Sequence, residues 1–310
     1  MVPKALQFLR ENILSSGDLF GIDRSRWAEG LGLEPEGEVL FFAGCGYQYL
    51  KGASRFLSLA QRAEERGIDW EATWGLWGRL RALGRLFTSG QGRNPLRDGV
   101  ELLRRAGLKI AYLGPEEPCC GAPLYFAGFR GDFSARIPSV LEALKGSGAK
   151  EVVGMVPSCT YALKELMGEV PFQVVPFPAY LARVDGGKRR LPQPKKVVYH
   201  DPCMLARYLG VTEEPRELLR SVEGVELLEP ETSREWATCC GGGGGFEAVF
   251  PQVSAALARR RVEELLRTGA EVIVTACPGC LLQLSEGVKA VGAKGVEVLD
   301  LAEFLARTEG

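Results

Sequence analysis

One cysteine pattern occurs twice in this chain, in the same order, and a duplication of this kind constrains the architecture more than any single motif does. Cys119-Cys120-Gly121 returns as Cys239-Cys240-Gly241, 120 residues later. Pro157-Ser158-Cys159 follows the first triplet and Pro278-Gly279-Cys280 the second, each leading into an apolar helical stretch. Residues 172–183, FQVVPFPAYLAR, correspond to residues 296–307, VEVLDLAEFLAR. Upstream, the apolar run Val39–Phe42 leads to Cys45, and Val197-Val198-Tyr199-His200 leads to Asp201-Pro202-Cys203. The halves span roughly 36–190 and 191–310, after a helical N-terminal extension over 1–35 in which Ala5, Leu6, Leu9 and Ile13 form an apolar stripe. The boundary falls in Gly186–Pro194, rich in Gly, Pro and charge, which reads as a linker.

Each half alternates short β-rich runs with helical patterns. In the second half the runs are Val197–Tyr199, Val225–Leu228, Val272–Thr275 and Val296–Leu299, with helical patterns including Pro215–Val222 and Val253–Thr268. Strands alternating with helices require crossover connections and a mostly parallel sheet. The expected fold is therefore α/β: two tandem units, each a mostly parallel sheet flanked by helices. Ligands in such sheets collect beyond the carboxyl ends of the strands. Cys45, Cys203 and Cys277 each follow a strand, and Cys159 and Cys280 open helices, so the cysteines of each half are expected on one rim of its sheet.

Nine cysteines, an odd number in a chain with no secretion signal in its first residues, argue against a disulfide framework and for metal binding or redox chemistry. The second half offers five thiols, Cys203, Cys239, Cys240, Cys277 and Cys280, one more than a tetrahedral zinc site uses. Neighbouring side chains in an extended segment face opposite ways, so vicinal cysteines reach different metals, or a bridging position, more readily than one ion. Five glycines, Gly241–Gly245, follow directly at a cost in backbone entropy. Gly241 and Gly242 are expected to let backbone N–H groups approach cluster sulfurs. A phosphate-binding loop or a plain turn is the alternative. The charge of −1, from 38 basic and 39 acidic residues, marks no nucleic-acid partner. No apolar run approaches a membrane span, and a cytoplasmic location is expected.

These motifs resemble the CCG-domain family, the cysteine-rich domain found in heterodisulfide reductase and in the iron–sulfur components of glycolate, lactate and glycerol-3-phosphate oxidising systems. The resemblance covers residues 38–310. It implies that the complete second copy binds a four-iron, four-sulfur cluster, of the non-cubane form, through Cys203, Cys239, Cys240, Cys277 and Cys280. The first copy departs from the pattern, because Val156 stands where the second has Cys277. Its remaining thiols, Cys45, Cys119, Cys120 and Cys159, suit zinc or a second iron–sulfur cluster. Relatives with two complete sites act on a heterodisulfide, and the missing cysteine favours single-cluster electron transfer here.

No ferredoxin-type cysteine run and no dinucleotide-binding glycine motif is present, so the expected partners are a flavoprotein (FAD) subunit and a ferredoxin-type iron–sulfur subunit, with quinone as another acceptor. Any membrane association would be peripheral, through those partners. Two alternatives stand beside electron transfer: catalytic reduction of a disulfide at the cluster, and a zinc-stabilised structural or assembly subunit. The sequence identifies no catalytic residue. His200, the single histidine, is read as a structural residue or a donor beside the cluster. Cys119 comes 74 positions after Cys45, against 36 from Cys203 to Cys239, which places an insertion at about 55–92. There Trp70, Trp74 and Trp77 share one helical face, suited to core packing or to docking a partner.

Overall fold

A computed structural model describes residues 2–19, 24–50 and 94–309, together with positions 62, 66 and 67. Trp70, Trp74, Trp77 and nearly all of the insertion lie outside the described residues. After helix α1 (Lys4–Ser16), the first half contains β1 (Val39–Phe42), α2 (Pro95–Arg105), β2 (Ile110–Ala111), α3 (Ala122–Phe126), α4 (Arg130–Gly146), β3 (Glu151–Gly154), α5 (Pro157–Tyr161), β4 (Gln173–Pro176) and α6 (Phe177–Val184). The second contains β5 (Arg189–Tyr199), α7 (Glu214–Arg220), β6 (Val222–Leu228), α8 (Phe246–Val249), α9 (Pro251–Leu266), β7 (Val272–Thr275), α10 (Pro278–Ala290), β8 (Glu297–Asp300) and α11 (Leu301–Ala306).

Each half folds into a four-stranded sheet, ordered β2-β1-β3-β4 and β6-β5-β7-β8, with every neighbouring pair of strands parallel. The two orders are the same order, as the duplication requires. Register follows apolar alternation: Val197, Tyr199, Val272 and Val274 face one side of the second sheet, while Val198 and Ile273 face the other with Val262, Leu265 and Leu284 of α9 and α10.

The first face of that sheet joins a core that runs without interruption into the first half, where Phe41, Leu103, Val153 and Phe177 belong to the same cluster. The helices exchange across this seam. α6, which ends the first half, packs on α7 of the second, and α11, which ends the second, packs on α2 of the first. Corresponding elements thus meet in corresponding ways, an approximate two-fold arrangement. Helix α1 spans both halves as well, touching α3 and α8, with Ala5 buried beside Ala248.

The stretch 186–194 corrects the expectation of a linker. Strand β5 begins at Arg189, pairing Arg189 with Val222 and Arg190 with Glu223 before the register shifts ahead of Lys195. Pro192 and Pro194 fall inside that shift, where a residue without an N–H interrupts no regular ladder. Arg190 also exchanges backbone hydrogen bonds with Glu309, which ties the chain's end to the start of the second sheet.

A core shared across the seam makes a terminal-helix side chain expensive to truncate. Leu305, fully buried in α11, replaced by Ala is expected to lower unfolding free energy by about 2–5 kcal/mol in urea denaturation. An effect below about 0.5 kcal/mol would show that the seam is not part of the core.

Candidate metal centre

Every predicted cysteine lies beyond the carboxyl ends of the strands. In the second half, β5 leads to Cys203, β7 leads to Cys277, and the segment before α8 carries Cys239 and Cys240. Cys277 is the extended residue before Pro278, which opens α10, and Cys280 sits in that helix's first turn.

The five thiols gather on this rim and act on one another electrostatically. Cys240 and Cys280 lie 3.2 Å apart between sulfurs. Cys239 is lowered by the thiols of Cys203 and Cys240 and by the Gly241 N–H, which lies 3.3 Å from its sulfur. Cys277 is lowered by the Cys280 thiol and by the N–H groups of Cys280 and Gly279 at the helix start. The other three, which donate to or surround these thiolates, are raised. Cys240 and Cys280 are buried, whereas Cys203, Cys239 and Cys277 are partly exposed, so the site has an open edge.

The glycine run serves close packing. Gly241 has φ +85°, and a Cβ there would stand 2.5 Å from the Ser254 carbonyl oxygen. A Cβ at Gly242 would meet Gln283 at 2.8 Å. The Gly243 N–H donates to the Glu247 carboxylate at 2.8 Å, which places a negative group where a phosphate loop would need an open donor. The Gly241 N–H does approach a sulfur; for Gly242 the observed role is backbone clearance.

Buried charges hold the turn that carries Cys203. Arg216, fully buried, donates to both oxygens of Asp201 at 2.7 and 2.9 Å and to both of Glu229 at 2.6 and 2.9 Å. Asp201 in turn accepts from the Arg234 backbone N–H at 2.8 Å. The turn before Cys203 and the loop before Cys239 are thereby fixed to one another.

His200 is buried at the end of β5, and burial together with the cation of Arg261 pushes its pKa down to about 3. The Arg261 Nε–H donates to its Nδ1 at 3.1 Å. One of its ring nitrogens and the sulfurs of Cys240 and Cys280 all lie within 4.8 Å of one another.

The first half is drier and differently furnished. Cys45, Cys119, Cys120 and Cys159 are all buried, and the Cys120 thiol, opposed by Cys119, is raised by the neighbouring Cys159 and by burial. Burial and Cys119 push the Cys45 thiol up. Val156 takes the place before Pro157 that Cys277 takes before Pro278. Beside Cys45 stands Glu117, raised by burial to about 7, accepting from the N–H groups of Ala43 and Gly44 at 2.7 and 3.0 Å. Arg24 approaches it at 3.9 Å and bonds Asp18 at 2.8 Å.

The two sites adjoin. A Cβ on Gly44 would touch the Cys159 sulfur at 3.0 Å, and one on Gly46 would overlap Pro278 at 2.4 Å, so the backbone at Cys45 passes directly from its own site to the opening of α10. Tyr47 donates to Asp300 at 2.5 Å across the same seam, close to Cys277.

A match to the family model described as "Cysteine-rich domain" covers residues 87–164 and 197–285, more than half of the chain. The chain belongs to the cysteine-rich domain family. Similar relatives of this family include one component of the dihydromethanophenazine:CoB–CoM heterodisulfide reductase of Methanosarcina barkeri, 37% identical over 67% of this chain and 54% of that protein. The EtfAB:quinone oxidoreductase of Syntrophomonas wolfei is 34% identical over 66% of this chain and 30% of its own length. A probable iron-sulfur-binding oxidoreductase, FadF, of Bacillus subtilis is 32% identical over 67% and 30%. The chain spans about half the length of the heterodisulfide reductase relative. Among the described residues no helix is long and apolar enough to cross a membrane.

Arg216, Arg261, Glu117, Arg24, Tyr47 and Asp300 were not singled out by motif. Arg261 left a trace: it stands among Ala258, Val262 and Leu265 on the buried side of α9, where a charge needs a partner.

Burial raises Asp300 to about 7, opposed by the Tyr47 hydroxyl and the Ala302 N–H. A carboxyl whose folded pKa lies above its unfolded value of about 3.9 keeps its proton better in the native state. In the metal-free chain, this residue therefore lowers stability as pH rises from about 4 to about 7 and adds no slope above that. Asp300→Asn is expected to remove the slope, read as the difference in urea midpoint against pH; parallel profiles would refute the assignment.

Proposed function

We propose that this chain is an iron–sulfur subunit of an oxidoreductase complex, with its cluster held by Cys203, Cys239, Cys240, Cys277 and Cys280. The observation that carries the proposal is the gathering of five mutually interacting thiols on one strand rim, Cys240 and Cys280 3.2 Å apart, with backbone N–H groups already directed at two of the five. Five thiols exceed what tetrahedral zinc uses and fit a four-iron, four-sulfur cluster of the non-cubane form. Such a cluster, when bound, supplies one-electron transfer. The chain's own residues supply the thiolates, the amide hydrogen bonds and an edge open to a partner.

Electrons would pass between a flavoprotein subunit and a ferredoxin-type subunit or quinone. The names of the relatives support an oxidoreductase, one of them acting with quinone. In the first half, Cys45, Cys119, Cys120 and Cys159 would hold zinc or a second iron–sulfur cluster. Reduction of a disulfide substrate is a second reading, favoured by the exposure of Cys203, Cys239 and Cys277 and by the name of the Methanosarcina relative. Residues 36–190 and 191–310 would be the two copies, and a cytoplasmic location accords with both readings.

Protein purified without oxygen is expected to contain about four irons and four acid-labile sulfides in the second half, with visible absorbance that Cys239→Ala abolishes. Zinc alone, with no iron taken up on anaerobic reconstitution, would overturn the electron-transfer reading and leave a metal-stabilised scaffold. Reoxidation of the reduced protein by small disulfides would identify the second reading.

A further inference from the structure

His200 is held in a way that decides which of its nitrogens carries a proton. Arg261, fully buried, donates its Nε–H to His200 Nδ1 at 3.1 Å. A guanidinium has no acceptor, so Nδ1 must offer its lone pair, and a neutral ring then carries its hydrogen on Nε2. Arg261 is itself fixed: its Nη1 contacts the Thr232 carbonyl and hydroxyl at 3.1 and 3.0 Å and Glu264 at 2.7 Å. Thr232 also hydrogen-bonds Glu264. Thr232 lies in the loop leading to Cys239, so one network sets both the imidazole and that loop.

His200 Nε2 is buried and has no hydrogen-bond partner among the described residues. A buried N–H left unpaired is costly, so its orphan state calls for an acceptor. One ring nitrogen of His200 lies within 4.8 Å of the Cys240 and Cys280 sulfurs, and with Nδ1 occupied by Arg261 the nitrogen free to donate toward them is Nε2. Those two sulfurs are the most deeply buried of the five.

We propose that Arg261 is a positioning residue that locks His200 as an Nε2–H donor toward the Cys240–Cys280 sulfurs, and that this hydrogen bond, not coordination by the imidazole, is how the histidine acts on the bound cluster. The effect on the cluster rests on the iron–sulfur reading above; the tautomer does not. An N–H directed at a ligand sulfur offsets the charge added on reduction and raises the reduction potential.

A single histidine makes the test clean. In untagged chain labelled with 15N-histidine, NMR of the metal-free protein is expected to show the one-bond N–H coupling on Nε2; a hydrogen on Nδ1 would overturn the lock. Pulsed EPR of the reconstituted, reduced protein is expected to show an exchangeable proton coupling that His200→Leu removes, with no strong 15N coupling; a strong 15N coupling would make His200 a ligand and overturn the proposal. His200→Leu is expected to shift the midpoint potential negative at unchanged iron per chain, with His200→Gln, which keeps an N–H, shifting it less. An unshifted potential in a fully loaded His200→Leu protein would overturn it too. Should His200→Leu fail to fold, Arg261→Gln supplies the second variant, expected to admit the Nδ1–H tautomer in the metal-free chain; an unchanged tautomer there would overturn the role of Arg261. If the wild-type chain takes up no iron, the cluster reading falls and takes the potential with it, while the NMR result judges the tautomer by itself.

Discussion

Thiolates resist burial. Each carries a charge that a low-dielectric interior disfavours, and five sulfurs gathered on one rim compound the cost, since ionising one raises the next. The second half shows this tension in its thiols: Cys239 and Cys277 are lowered by neighbouring S–H and N–H groups, while Cys203, Cys240 and Cys280 are raised beside them. A bound cation relieves the repulsion and releases the remaining protons, so metal affinity and the stability of this rim are coupled. Around it the other features fall into place: the glycines that bring N–H groups close, the Arg216 pairing that fixes the Cys203 turn, and the open edge left by three sulfurs.

The duplication shaped the fold at a second level. Neither sheet buries its seam face alone; each lends its last helix to the other, and one core runs through both. The sites meet at that seam because the residues after the first cysteine of each half lie against the Pro-x-Cys helix of the other: Gly46–Tyr49 on α10, and Met204–Tyr208 on α5. Tyr161 and Tyr208, just beyond the motif cysteines of opposite halves, meet edge-on at 5.2 Å.

The cysteine rim, the parallel sheets and the strand β7 were legible in the sequence, because each rests on a local pattern: a repeated triplet, apolar runs between helical periods, a proline opening a helix. What escaped notice was non-local or depended on pairing. Strand β5 runs through Pro192 and Pro194 because a register shift excuses them from the ladder, and no local propensity announces such a shift. Arg216 reads as a surface charge until Asp201 and Glu229 close around it. Asp300 caps α11, accepting from the Ala302 N–H at 2.9 Å; its meeting with Tyr47, 253 positions earlier in the chain, follows only from the seam. Val156 was visible as a missing ligand, yet the buried Glu117 and Arg24 that furnish the first half's site were not.

Gly46 presses its backbone so closely on Pro278 that there is no room for even a methyl group. The first copy, short of one cysteine, is thus the wall against which the second copy's Pro-x-Cys helix is set. Duplicated modules are commonly free to decay once one of them suffices for the chemistry. Here the first copy can vary the residues around its cysteines, but discarding it would remove the surface that sets its neighbour's helix, so the shape of one copy is tied to the other.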